Sequence, residues 1–272
     1  MSTHQRGCAV TGIILKSMPL GESDKLLTLL TQELGVIRAV AKGSRKTPSK
    51  WGGRTELFIC GEWFVSQGRW QHPEQNSQKL YRLSDGDIRH AFRGLSRRLE
   101  PLLAAQYLAE VALLFMPAGH AQPDLYVLLL EHLHRLETAP PDQVLPLLTH
   151  GVYHLLAWAG VAPQVFQCHY CRCHPPLRLE IGFSLTAGGI ICDTCCERQR
   201  PYPLSMLSEA VWTTLQYLPP PTLTVTGIPQ SVWVRVERVL RRLVEFHAER
   251  SIQSAALLAQ MLDPLEAVIN EP

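Results

Sequence analysis

Two Cys-x2-Cys pairs, Cys168 with Cys171 and Cys192 with Cys195, stand twenty residues apart in the second half of the chain. Two residues between sulfurs let one tight turn aim both at a single ion. Paired knuckles at this separation are the sequence form of a four-thiolate zinc ribbon. The strip between them, Leu177–Ile191, carries Gly182, Gly188 and Gly189 and suits a hairpin that returns the second knuckle to the first. Four thiolates fill a tetrahedral shell and leave no position for water, so the expected Zn2+ is structural, one per chain. Cys173, Cys196, His169 and His174 crowd the same stretch and read as bystanders, though any of them could replace a nominal ligand. A thioredoxin-like use of Cys168/Cys171 needs one motif in a βαβ setting, whereas here two motifs sit in a glycine-rich insert. Cys8 and Cys60 lie in apolar strand contexts and read as core thiols.

Clustered cysteines carry this meaning in a reducing compartment. The opening MSTHQRG is polar, and Lys16, Glu22, Asp24 and Lys25 break the stretch after it. The longest apolar run, Leu102–Met116, is interrupted by Gln106 and Glu110. Neither an export signal nor a membrane span is expected, and the expected location is cytoplasmic.

Up to about residue 80, short apolar or alternating runs separated by turn residues predict strands at Cys8–Leu15, Lys25–Thr31, Val36–Lys42, Leu57–Gln67 and from Trp70 onward. Five short strands in this length suit a small OB-like closed barrel. Helical spacing takes over after Tyr81: Asp87–Phe92 leads into a long helical stretch ending at Pro117. Further helices are expected at Pro123–Glu137, Asp142–Trp158, Ser205–Leu218, Ser231–Arg250 and Gln253–Leu262. The expected organisation is α+β and multidomain: an OB-fold barrel over 1–80, then an α-helical domain over 81–272 interrupted by a zinc-binding insert at 164–200.

Charge is distributed unevenly between these parts. The whole chain is +2, but residues 1–80 hold eleven Lys/Arg against six Asp/Glu, so the barrel region is +5 and the rest −3. The run from Arg38 to Arg54 contains Arg38, Lys42, Arg45, Lys46, Lys50 and Arg54 and no acid. With Gly43, Gly52 and Gly53 it reads as a mobile loop, and cations beside a barrel face are what phosphate-backbone binding needs. Trp51, Trp63, Phe64 and Trp70 either offer stacking surfaces or fill the core, and for each alone the core is favoured. A second cluster, Arg235, Arg238, Arg241 and Arg242, lies on one expected helix. It either receives an acidic peptide with an apolar end or forms a solvated face opposite the Val232–Phe246 stripe. There is no G-x4-G-K-[ST], no G-x-S-x-G, no H-E-x-x-H and no zinc-deaminase signature, so catalysis has no visible seat and no enzyme is expected.

With these residues in hand, the chain resembles the RecO family of bacterial recombination mediators. Gly12–Lys46 matches the family's barrel signature, from a Gly-Glu-x-Asp step to an Ala-Lys-Gly-Ser-Arg-Lys basic loop. The helix ending at Leu155–Pro163 runs straight into the cysteine pairs, as it does in the family. The resemblance implies a nucleoid-associated protein of DNA repair and homologous recombination. Such a protein binds single- and double-stranded DNA, anneals complementary strands, and helps load recombinase onto DNA coated by single-strand binding protein. Implied partners are RecR and the acidic C-terminal tail of single-strand binding protein, with no nucleotide hydrolysis. Two other classes compete: a zinc-ribbon transcription or RNA-binding factor, and a thiol oxidoreductase. Charge near the ribbon separates them weakly, because Arg172, Arg178, Arg198 and Arg200 are matched by Glu180, Asp193 and Glu197.

Overall fold

The computed structural model describes residues 7–67, 80–116, 120–177, 179–198 and 205–260. Five strands, β1 (Cys8–Leu20), β2 (Asp24–Thr31), β3 (Gly35–Ala41), β4 (Cys60–Gln67) and β5 (Leu80–His90), close into a barrel in the order β1-β2-β3-β5-β4. Adjacent strands pair antiparallel except β3 with β5, which run parallel from Arg38↔Leu80 to Ala41↔Leu83 and complete the ring. Strict alternation makes this possible: in β3, Ile37, Ala39 and Ala41 point inward while Val36, Arg38 and Val40 point out. Val10, Ile14, Leu27, Leu29, Val65 and Leu83 fill the interior around Trp63, which is fully buried. Its indole N–H donates to the Gly12 carbonyl at 2.9 Å, so the largest core side chain has no unpaired polar group.

The fifth strand begins at the expected domain boundary, so the barrel extends past residue 80 to His90. Asp87–His90, expected as the start of a helix, pairs instead with β4 through Glu62↔Asp87, Gly61↔Ile88 and Cys60↔His90. The cross-strand ladder overrides a local helical spacing too short to decide the conformation. The strand expected from Trp70 onward lies outside the described residues. The chain forms two compact units, Met1–Arg97 with Met116–Glu137, and Arg98–Phe115 with Thr138–Pro272. In the first, helix α2 (Pro123–Thr138) belongs with the barrel: the Tyr126 hydroxyl and the Cys60 thiol meet at 3.1 Å. Burial pushes both of these groups up. Gly35, at φ +66, lets the barrel approach the chain ahead of α2, because a Cβ there would overlap the His120 carbonyl oxygen.

In the second unit, α1 (Leu99–Phe115), α3 (Pro141–Trp158) and α6 (Gln230–Ala248) pack through Leu103, Leu108, Leu148, Leu156, Leu240 and Leu243. A hairpin of β6 (Glu180–Ser184) and β7 (Gly189–Ile191) precedes the short helix α4 (Asp193–Arg198). The segment expected to be helical from Ser205 opens as a strand, β8 (Ser205–Ser208), which pairs with β6 before α5 (Glu209–Gln216) begins. Residues 253–260 are helical, within the expected terminal helix. No helix among the described residues is long and apolar enough to cross a membrane.

One polar contact lies inside this helical packing. Glu237 is 5% exposed, accepts the Tyr107 hydroxyl at 2.9 Å and faces Arg241 at 3.7 Å. Burial raises its pKa, and Arg241 and Tyr107 only partly offset that. An acid whose folded pKa exceeds its unfolded one destabilises the fold as pH climbs through the interval between them. Tyr107→Phe should therefore cost about 1–3 kcal/mol, because it strands a buried carboxylate. Glu237→Gln keeps an acceptor without the charge and should cost less at pH 7. It should also abolish the loss of stability that sets in as pH rises above the ordinary glutamate range. Urea unfolding of both variants from that range up to pH 7 checks this.

Candidate metal centre and nucleic-acid interface

The four cysteines singled out by their spacing come together. The sulfurs of Cys168, Cys171, Cys192 and Cys195 all lie within 4.8 Å of one another, with Cys171 and Cys192 at 3.6 Å. A tetrahedral ion with metal–sulfur bonds of about 2.3 Å places its ligands roughly 3.8 Å apart, so this donor set fits one. Backbone bonds shape the first knuckle: the Cys168 N–H donates to the Cys173 carbonyl at 2.8 Å, and the Arg172 N–H to the Cys168 carbonyl at 3.0 Å. Arg172 takes a left-handed φ of 59 to close this turn. The second knuckle uses the start of α4, where Cys195 and Cys196 N–H groups both reach the Cys192 carbonyl. The β6–β7 hairpin joins the two: His169 N–H donates to Ile190 O, and Gln164 exchanges backbone bonds with Gly188 and Ile190. The ribbon is anchored below by Trp212 Nε1, which donates to the Val165 carbonyl at 2.8 Å.

The thiols respond as a crowded donor set should. The Cys173 backbone N–H holds Cys171 down to about 6. Burial pushes Cys168 up, but the amides of Cys171, Cys192 and Tyr170 bring it below its ordinary value. Burial and contacts with its sulfur neighbours push Cys195 up to about 12. Four sulfurs this close cannot all be thiolates unless a cation neutralises them. The remaining candidates are set apart from this group. Cys173 Sγ touches Cys171 Sγ at 3.3 Å on the exposed side but falls outside the group of four. Cys196 Sγ turns to the Ile191 carbonyl, in space that Gly182 leaves open. His174 bonds to Phe166 O and Gln167.

The basic run, expected as a mobile loop, is tied to the barrel at several points. Trp51, 1% exposed, plugs the barrel core from within it and donates its indole N–H to the Lys42 carbonyl at 2.9 Å. The Asp24 carboxylate accepts the Gly43 N–H at 2.8 Å, and that bond, with Lys42 and Lys46 nearby, lowers its pKa. Arg45 donates to Gly21 O, Lys50 to Ser84 O and Arg54 to Gly86 O, while the Lys50 ammonium sits 4.6 Å over the Trp51 ring. Arg38 is separate, on the outer face of β3. Among the described residues none of the six cations forms an ion pair with a carboxylate. Trp51 and Trp63 are core, Phe64 is exposed on β4, and Trp70 lies outside the described residues.

Strand register adds two cations that the sequence did not single out. Lys16, Thr28, Arg38 and Leu80 form one outward row across β1, β2, β3 and β5, and Met18, Leu26, Val40 and Arg82 form the next. Lys16 and Arg82 are exposed at opposite ends of these rows, and Lys42 continues the line of Arg38 and Val40 into the loop. Only the pairing of β5 beside β3 brings Arg82 here, and no local pattern reveals that pairing.

On α6, three of the four predicted arginines gather. Arg235, Arg238 and Arg242 line a groove of about 180 Å³ whose wall includes Phe183, Met206 and Val211. Arg241 lies one face away, against Glu237.

Comparison with known proteins covers nearly the whole chain. Residues 6–92 match the family model described as Recombination protein O N terminal, and residues 96–256 match Recombination protein O C terminal. The chain is similar to a protein of Synechococcus sp. named DNA repair protein RecO, 50% identical over 92% of this chain and 88% of that one. Proteins of the same name from Gloeobacter violaceus and Trichodesmium erythraeum are 42% and 38% identical, over 94% and 96% of both chains respectively.

The four-sulfur geometry leads to a direct test. Full-length protein purified without chelator should carry about one metal equivalent by elemental analysis. Cys168→Ser should lose it and lower the melting temperature, whereas Cys173→Ser should keep both.

Proposed function

Because the chain belongs to the recombination protein O family, we propose that it acts in DNA repair and recombination by binding DNA on its barrel. In this reading the ion held by Cys168, Cys171, Cys192 and Cys195 is Zn2+, and its role is to order the insert. Thiolate-only donors and a closed tetrahedron favour that ion, and a filled shell gives it no substrate position. In this reading the protein acts by binding, without a reaction step of its own.

The observation that supports the DNA reading is a run of cations on and just after β3, Arg38 followed by Lys42, Arg45, Lys46, Lys50 and Arg54. None of them pairs with a carboxylate among the described residues, and Lys16 and Arg82 lie in the rows that strand pairing builds around β3. Barrels of this type bind oligonucleotides across strands 2 and 3. The outward rows hold Met18, Leu26 and Val40 rather than aromatic rings, which favours backbone contact over base stacking. Binding of this kind is tolerant of sequence and of strand number, which suits the annealing of complementary strands. The arginine groove has the chemistry for an acidic peptide with an apolar end: Arg235, Arg238 and Arg242 take the acids, and Phe183, Met206 and Val211 the apolar terminus. The acidic C-terminal tail of single-strand binding protein is that kind of ligand. RecR is the further partner in loading recombinase onto coated DNA.

Replacing Lys42, Arg45, Lys46 and Lys50 together by Ala should weaken binding to both single- and double-stranded DNA. The slope of affinity against salt should shrink by roughly one unit for each phosphate that is no longer neutralised. Strand annealing without ATP, with and without single-strand binding protein, should slow in parallel. Undiminished binding and annealing by a folded quadruple variant would place the interface elsewhere. Separately, charge reversal at Arg238 and Arg242 should abolish binding of a labelled acidic tail peptide while leaving naked-DNA affinity unchanged. The same reversal at Arg241 should act through stability instead.

A further inference from the structure

At the end of the barrel farthest along β5, a second group of potential ligands meets on different chemistry. The geometry points to a divalent transition-metal site formed by His90, His134 and Glu137, separate from the cysteine ribbon and open to solvent. The donor atoms of the three side chains lie within 4.8 Å of one another, and His90 Nε2 is 2.9 Å from Glu137 Oε2. His90 is the last residue of β5, while His134 and Glu137 lie near the C-terminal end of α2. Their i, i+3 spacing places both on one face of the helix. Two imidazoles and a carboxylate form the mixed nitrogen–oxygen set that suits zinc and its first-row neighbours, and three protein ligands leave a position for water.

The surroundings hold the donors in place. Phe92 is 2% exposed and adopts a φ of 38, which is rare for a bulky residue. Its ring meets His90 edge-on at 4.3 Å and His134 at 4.6 Å, so one strained residue positions both imidazoles. The second oxygen of Glu137, Oε1, accepts the Gly94 N–H at 2.9 Å, leaving Oε2 for the site. That is the outer-shell support typical of metal-ligating carboxylates. Gly94 has to be glycine for this approach, because a Cβ would press on the Glu137 side chain. The ion takes the place of the proton shared by His90 Nε2 and Glu137 Oε2, and that proton goes to solvent. Donors bonded about 2.0–2.2 Å from a tetrahedral ion stand roughly 3.3–3.6 Å apart, so small rotamer changes convert the pair into a chelate. The bound ion would tie β5 to α2 within the barrel's own unit.

The test is a Zn2+ titration of full-length protein whose ribbon is already loaded, read by competition with a chromophoric chelator. A second equivalent should bind at neutral pH, and its affinity should fall at least tenfold in His134→Ala and in His90→Ala. Should His90→Ala disturb folding by breaking its hydrogen bond with Glu137, His134→Ala, checked by circular dichroism and melting, carries the test. With the ribbon filled by Zn2+, one equivalent of Co2+ added to the parent should bind at this site with a spectrum free of thiolate charge transfer. Failure of the ribbon-loaded parent to take up a second equivalent in the titration, or a second equivalent that survives folded His134→Ala unchanged, overturns the site.

Discussion

The parallel contact of β3 with β5 is the constraint from which the barrel's geometry follows. Four residue pairs, Arg38↔Leu80 to Ala41↔Leu83, turn an open antiparallel meander into a closed ring. Closure removes both sheet edges and seals Trp63 inside. It also fixes which side chains share the outer surface, because every outward row must continue from β1 through β2 and β3 to β5. And it sets where β5 ends, which brings His90 to the last turn of α2.

The two metal-ligand groups show how differently a fold can build such a site. The ribbon is local: two knuckles, one hairpin, and backbone amides that point at sulfur. Its residues are close in sequence, so regular spacing announces it. The His90, His134 and Glu137 group is assembled from a strand end and a helix end more than forty residues apart, and nothing in either segment alone suggests it. The same division holds for the cations. Those of the Arg38–Arg54 run are close together and conspicuous, while Lys16 and Arg82 join them only through strand pairing.

Sequence reading therefore succeeded where a signal repeats over short range. Alternation identified β1 to β4, helical spacing identified α2, α3 and α6, and the cysteine spacing located the ribbon. It failed where partners are remote. Residues 87–90 carry spacing compatible with a helix, but the ladder to β4 holds them extended. Ser205–Ser208 became strand because β6 offers an edge to pair with. The glycines of the basic run suggested mobility; a core place was already favoured for Trp51, but its bond to Lys42 and the bonds to Asp24 and to three backbone carbonyls join partners that no local pattern pairs. On α6, helical phase placed four arginines near one another, but only the buried Glu237 shows why Arg241 is set apart.

Trp51 has a consequence beyond holding the loop. Its ring is part of the barrel interior, and its indole N–H is tied to the backbone of Lys42. The cation-bearing loop is thus tied through Trp51 to the hydrophobic centre. A polyanion that engages the loop raises the melting point of the barrel by mass action alone. In the other direction, any lesion that softens the interior scatters the charges and lengthens the search for a competent arrangement. Under the proposed function, nucleic-acid affinity would then double as a thermometer of the barrel.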